Sequence, residues 1–143
     1  MLLYSKAREL ARRFGSPEEA AENMGITIIK IPLKSIKGAA LSLGETKIIF
    51  VGSDLPYLER QFVIGHELGH FYLHPSTNFV FILQNTFFHD KHEYQANRFS
   101  CELMLGEKAE EHKYLISEVC SKRKLNKLAE FISFALEGET WMP

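Results

Sequence analysis

Residues 58–75 read LERQFVIGHELGHFYLHP. Phe62, Val63, Ile64, Leu68 and Phe71 fall on several sides of a helical wheel, so the stretch predicts a long helix over residues 57–73, buried on most faces and stopped by Pro75. Within it His66 and His70 stand at i and i+4, one turn apart on one face. That spacing lets two imidazoles reach a single zinc ion at about 2.0–2.1 Å each. Glu67 lies roughly 100° round the helix from His66, beside such an ion rather than on it. From there a carboxylate can hold a water and take its proton. Burying these three polar groups without a partner is costly, and a metal supplies one.

A hydrolytic zinc site takes a third protein ligand and keeps one position open. The metzincin pattern fails, because Ser76 stands where its third ligand belongs and Leu73 where it needs glycine. His74 lies about 12 Å along the helix axis from His66, too far for both to share an ion with His70. It reads as a helix-end residue, either bracing the site or purely structural. The other candidates are His89, Asp90, His92 and Glu93, in FFHDKHEYQANRFSCELMLG. A helix over residues 92–105 places Glu93, Asn97, Ser100 and Met104 on one stripe flanked by Ala96, Phe99 and Leu103, with Arg98 and Glu102 opposite as a solvated pair. Glu93 therefore opens an inward-facing row. His89 and Asp90 precede the helix, and Asp90 serves equally well as its N-cap. A site of two histidines and a glutamate from two helices fits best.

Around these helices the pattern predicts an α+β fold, mainly helical and zincin-like, with a small antiparallel sheet of about three strands beside the HExxH helix. The stripe Ala7, Leu10, Ala11, Phe14 marks a first helix. Ser16, Pro17 and Glu19 mark the start of a second, and Gly25 its end. ITIIKIPL, GAALSLG and TKIIFVG supply the strands, with LGET as the hairpin turn between the last two. Leu125, Leu128, Ala129, Ile132 and Leu136 give the C-terminal region a helical stripe. One domain over residues 1–143 is expected, with a motif-bearing core of about 1–106 and a helical region 107–143 of no assignable role.

The chain has 143 residues, 45% of them apolar and 24% charged, and a net charge of −1. That is a globular composition, without the strongly basic balance of a nucleic-acid binder. Lys122, Arg123 and Lys124 read as a solvated helix face. Cys101 and Cys120 form no CxxC pair and fit reduced thiols, and no stretch has the pattern of a leader or a membrane span. These features point to the cytoplasm.

HELGHFYLHP together with EYQANRFSCELML resembles the ImmA/IrrE-type zinc metallopeptidases, whose motifs are HExxH and a Glu in an ExxAN context on the next helix. The resemblance covers roughly residues 1–106. It implies that His66, His70 and Glu93 are zinc ligands, that Glu67 is the general base, and that Asn97 supports or packs beside them. The family's Leu-Met-Pro ending appears here as LMLG, with Gly106 in place of proline. By the same resemblance the partner is a helix-turn-helix repressor of a mobile element or stress response, cleaved or antagonised as a separate protein, with no direct contact to nucleic acid. A metal-stabilised module that sequesters a regulator without cutting it is the alternative. Tyr94, His92 and Tyr114 are candidates to stabilise the oxyanion. The apolar run 79–88 is either a buried connection or, through Phe79, Phe81, Phe87 and Phe88, the wall of a peptide groove.

Overall fold

The computed structural model describes residues 3–74, 90–122 and 124–137. The run 79–88 with its four phenylalanines, His89 and Arg123 lie outside the described residues, as do the side chains of Asp90 and Lys122.

Helices α1 (Ser5–Arg13) and α2 (Pro17–Asn23) precede strands β1 (Thr27–Ile31), β2 (Gly38–Leu43) and β3 (Thr46–Gly52). Then come α3 (Tyr57–Leu73), α4 (Asp90–Leu105), a 3-10 segment (Gly106–His112), α5 (Lys113–Lys122) and α6 (Leu125–Glu137). Local chemistry sets several boundaries. Ser16 caps α2 by accepting from the Glu19 amide at 3.1 Å, with Pro17 in the first turn. Gly106, at φ +58°, ends α4 in the left-handed conformation that glycine adopts without strain. Substituting it for proline thus still breaks the helix, by another route.

The sheet is mixed rather than antiparallel. β2 and β3 form the expected antiparallel hairpin, with Leu43 opposite Thr46, but β1 pairs with β3 in parallel, Thr27 opposite Ile48. The strand order is β1-β3-β2. β3, at the centre, buries Ile49 and Val51 fully on one face and Ile48 and Phe50 partly on the other. The chain between β1 and β2 consequently crosses to the far edge, and pairing does not follow sequence order.

Two apolar clusters lie on either side of the α3–α4 pair. One gathers Leu10, Ile49, Val51, Val63, Ile64, Leu68 and Phe99 from α1, the sheet and the two helices. The other gathers Phe62, Cys101, Ile116, Val119, Phe131 and Ile132, so that α5 and α6 cover the outer side. Leu125 packs against both. Gln61 joins α3 to α2, accepting from the Glu18 amide at 3.1 Å and donating to the Glu18 carboxylate at 3.2 Å. Arg98 and Glu102 do pair, at 3.2 Å, but not in solvent. Glu102 is only 1% exposed, because α1 crosses that face of α4 and brings Arg8 to within 2.6 Å. A buried carboxylate is tolerable with two guanidinium partners. Among the described residues no helix is long and apolar enough to cross a membrane.

The α3–α4 contact depends on missing side chains. A Cβ at Gly65 would meet Ser100 Oγ at 2.4 Å, and one at Gly69 would meet Phe99 Cβ at 3.0 Å. Ser100 also donates to the Phe62 carbonyl at 2.8 Å, fastening α4 onto the main chain of α3. Gly65→Ala is expected to destabilise the protein by about 1–3 kcal/mol through overpacking, read as a lower urea midpoint at unchanged m. An unchanged midpoint would show that this contact is not tight.

Candidate metal centre

At this close contact the structure brings together all four residues singled out from the sequence. His66, Glu67 and His70 of α3 are buried, as is Glu93 in the first turn of α4. His66 Nε2 and His70 Nε2 lie 3.1 Å apart. The Glu93 oxygens stand 3.3 Å from His66 Nε2 and 2.8 Å from His70 Nε2. Glu67 adds an oxygen to the same group, its ligand atom within 4.8 Å of those of the two histidines. Two carboxylates thus compete for one position, and their surroundings distinguish them. Glu93 touches both imidazoles, whereas neither oxygen of Glu67 has a hydrogen-bond partner among the described residues.

Asn97, one turn beyond Glu93 on α4, sets the direction of the imidazole pair. Its Oδ1 lies 2.7 Å from His66 Nδ1. A carbonyl oxygen only accepts, so Nδ1 carries the proton and Nε2 turns its lone pair toward His70 and Glu93. Electron-rich atoms that converge this closely need a proton or a cation between them. The edge of a tetrahedron with ligands at 2.0–2.1 Å is about 3.3 Å, close to the two separations at His66, with the Glu93–His70 approach shorter. By donor type, the residues fit a metal ion.

Electrostatics separates the two carboxylates. Burial pushes Glu67 up to about 8; the nearby His66 opposes this and the Glu93 charge adds to it. Burial would raise Glu93 too, but hydrogen bonds and charges from His66 and His70 outweigh it and hold the carboxyl down at about 2. Burial also drives His70 down to about 3, leaving a neutral imidazole. For His66 the burial penalty is overcome by Glu93 and Glu67, and its pKa is raised.

Further residues around the cluster are placed by the structure. The strand β2 starts directly over α3: a Cβ at Gly38 would sit 2.4 Å from Val63 Cγ1 and 3.5 Å from Glu67 Oε2. Tyr94 is turned toward α5, donating to Ser117 Oγ at 3.1 Å. Tyr114 stands 84% exposed on α5. Of the three oxyanion candidates only His92 remains beside the cluster, stacked on His74 with ring centroids 3.8 Å apart. The sequence reading missed Gly38, Gly65 and the His74–His92 contact. The i, i+4 repeat of Gly65 and Gly69 was a usable signal of close helix packing, while Gly38 and the stack depend on tertiary placement.

A mainly helical α+β chain that sets a buried imidazole pair against a carboxylate on the following helix belongs with the metallopeptidases. The family is ImmA/IrrE: the chain belongs to peptidase family M78, the IrrE N-terminal-like domain, whose profile matches residues 21–129. It is 36% identical over 108 residues to "Uncharacterized immunity region protein 2" of Bacillus phage phi105, covering 73% of this chain and 68% of that protein. It is 40% identical over 62 residues to "Metallopeptidase ImmA" of Bacillus subtilis, covering 43% of this chain and 36% of that one. No solved structure matches the chain significantly.

The raised Glu67 has a consequence for the metal-free protein. With a folded pKa of about 8 against an ordinary value of 4.5, the folded state holds the extra proton between those limits, so stability falls as pH rises through that window. Glu67→Gln removes the effect. Thermal unfolding of the metal-free proteins should show the variant gaining on the wild type from pH 5 to pH 8.5. A gap that does not change with pH would contradict the buried, unpaired carboxylate.

Proposed function

We propose that this protein is a zinc-dependent endopeptidase that cleaves a protein substrate, a helix-turn-helix transcriptional repressor of a mobile element or stress response, in the cytoplasm. The reading rests above all on the opposite fates of the two carboxylates in one buried cluster. Glu93, held ionised against both imidazoles, completes the ligand set with His66 and His70. Glu67, raised toward neutrality and unpaired among the described residues, is suited to moving a proton. A bound zinc supplies the Lewis acidity that polarises a scissile carbonyl and acidifies the attacking water.

The chain's own residues do the rest. Asn97 fixes the His66 tautomer, so that Nε2 keeps its lone pair toward His70 and Glu93, where it would hold the metal. Glu67 takes the proton of the attacking water and delivers it to the leaving amine, and a pKa near neutrality lets one group do both. β2 is an edge strand whose first residue, Gly38, lies against Glu67. An extended peptide that pairs with this edge runs its main chain past the carboxylate, which favours a polypeptide substrate over a small molecule. The repressor is the substrate class that the family resemblance implies, and the immunity-region name of the phage relative is in keeping with it.

The test incubates the protein with helix-turn-helix repressors from its own source genome, with zinc content measured in parallel. Glu67→Gln should retain zinc and lose cleavage by about 10²–10⁴-fold. Glu93→Ala should weaken zinc binding by more than about 100-fold, beyond the 10–100-fold typical of residues that only orient ligands. A Glu67→Gln protein that still inactivates the repressor would favour sequestration without cleavage. Unchanged zinc affinity in Glu93→Ala would show that the third ligand is another residue.

A further inference from the structure

We propose that His74 and His92 form a clasp that positions Glu93 for metal binding; this rests on the zinc reading above and deepens it. His74 ends α3, its amide donating to the His70 carbonyl at 2.9 Å. Its ring lies nearly parallel to that of His92, at an interplanar angle of 27°. The stack thus joins the residue that ends α3 to the first turn of α4. Each partner is close in sequence to a proposed ligand. His92 immediately precedes Glu93, and His74 follows His70 by one turn, their ring centroids 5.8 Å apart.

This end of α4 needs such an anchor. The first turn of a helix lacks intrahelical partners for its amides and is the part that frays. The other fastenings of α4 to α3 among the described residues lie beyond Glu93: Asn97 on His66 one turn on, then Phe99 and Ser100 against Gly69 and Gly65, about 10 Å along the axis. Without an attachment ahead of Glu93, its turn would be held from one side and could swing away from the imidazoles. The stack closes the two helix ends over the ligand set. His74 and His92 are accordingly positioning residues: they act on the metal through Glu93 and His70, and neither needs to touch it.

The experiment measures zinc affinity of the full chain by competition with a chromogenic chelator, and the visible absorption of the cobalt-substituted protein. His74→Ala and His92→Ala should each weaken zinc by about tenfold or more, within the range for residues that orient metal ligands. Their cobalt spectra should change in intensity as Glu93 leaves its place. His92→Phe keeps a flat ring over His74, and should bind zinc within about threefold of the wild type. The proposal is overturned if His92→Ala binds as tightly as the wild type, or if His92→Phe is as weak as His92→Ala. A wild-type chain that takes up no zinc would instead overturn the metal reading, and the clasp with it.

Discussion

Two imidazoles and two carboxylates are buried in one small volume, and the surrounding structure is arranged to make that tolerable. The arrangement depends on how closely α3 and α4 approach. Gly65 and Gly69 remove the side chains that would hold the helices apart, and Ser100 bonds α4 directly to the α3 main chain. Only at this separation can Glu93 reach both His66 and His70 while Asn97 reaches the other side of His66. Side chains at Gly65 or Gly69 would push α4 outward and leave the carboxylate short of the imidazoles.

The same constraint gives the rest of the chain its tasks. The sheet and α1 cover one side of the pair, and α5 and α6 the other. The C-terminal helices thus have a role in packing that their sequence did not disclose: Phe131 and Ile132 press on the side of α3 that carries Phe62, away from the cluster. The family profile, reaching residue 129, likewise extends past the motif-bearing core. The neighbouring thiols Cys101 and Cys120, 3.7 Å apart, belong to this outer packing.

What could be read from the sequence was what periodicity and spacing encode. The α3 boundaries, the Ser16 cap, the β2–β3 hairpin and the inward stripe from Glu93 through Asn97 to Ser100 all follow from local pattern. What could not be read depended on which element crosses which. The central place of β3 turned an expected antiparallel sheet into a mixed one. The crossing of α1 turned Glu102 from a surface acid into a buried one held by Arg8 and Arg98. His74 could be set aside as a ligand by distance along the helix, whereas its contact with His92 needed the fold. The family resemblance, given first on two short motifs, is established by the profile match; the roles of the individual site residues are proposals argued from geometry and chemistry.

The account stands on one ion held by His66, His70 and Glu93. X-ray absorption at the zinc edge of the reconstituted protein tests this most directly. The prediction is a single zinc per chain with a shell of nitrogen and oxygen neighbours at about 2.0–2.1 Å, including the imidazole signature of two histidines. A sulfur neighbour at about 2.3 Å would move the metal to Cys101 and Cys120 and contradict the account, as would a chain that holds no zinc at all.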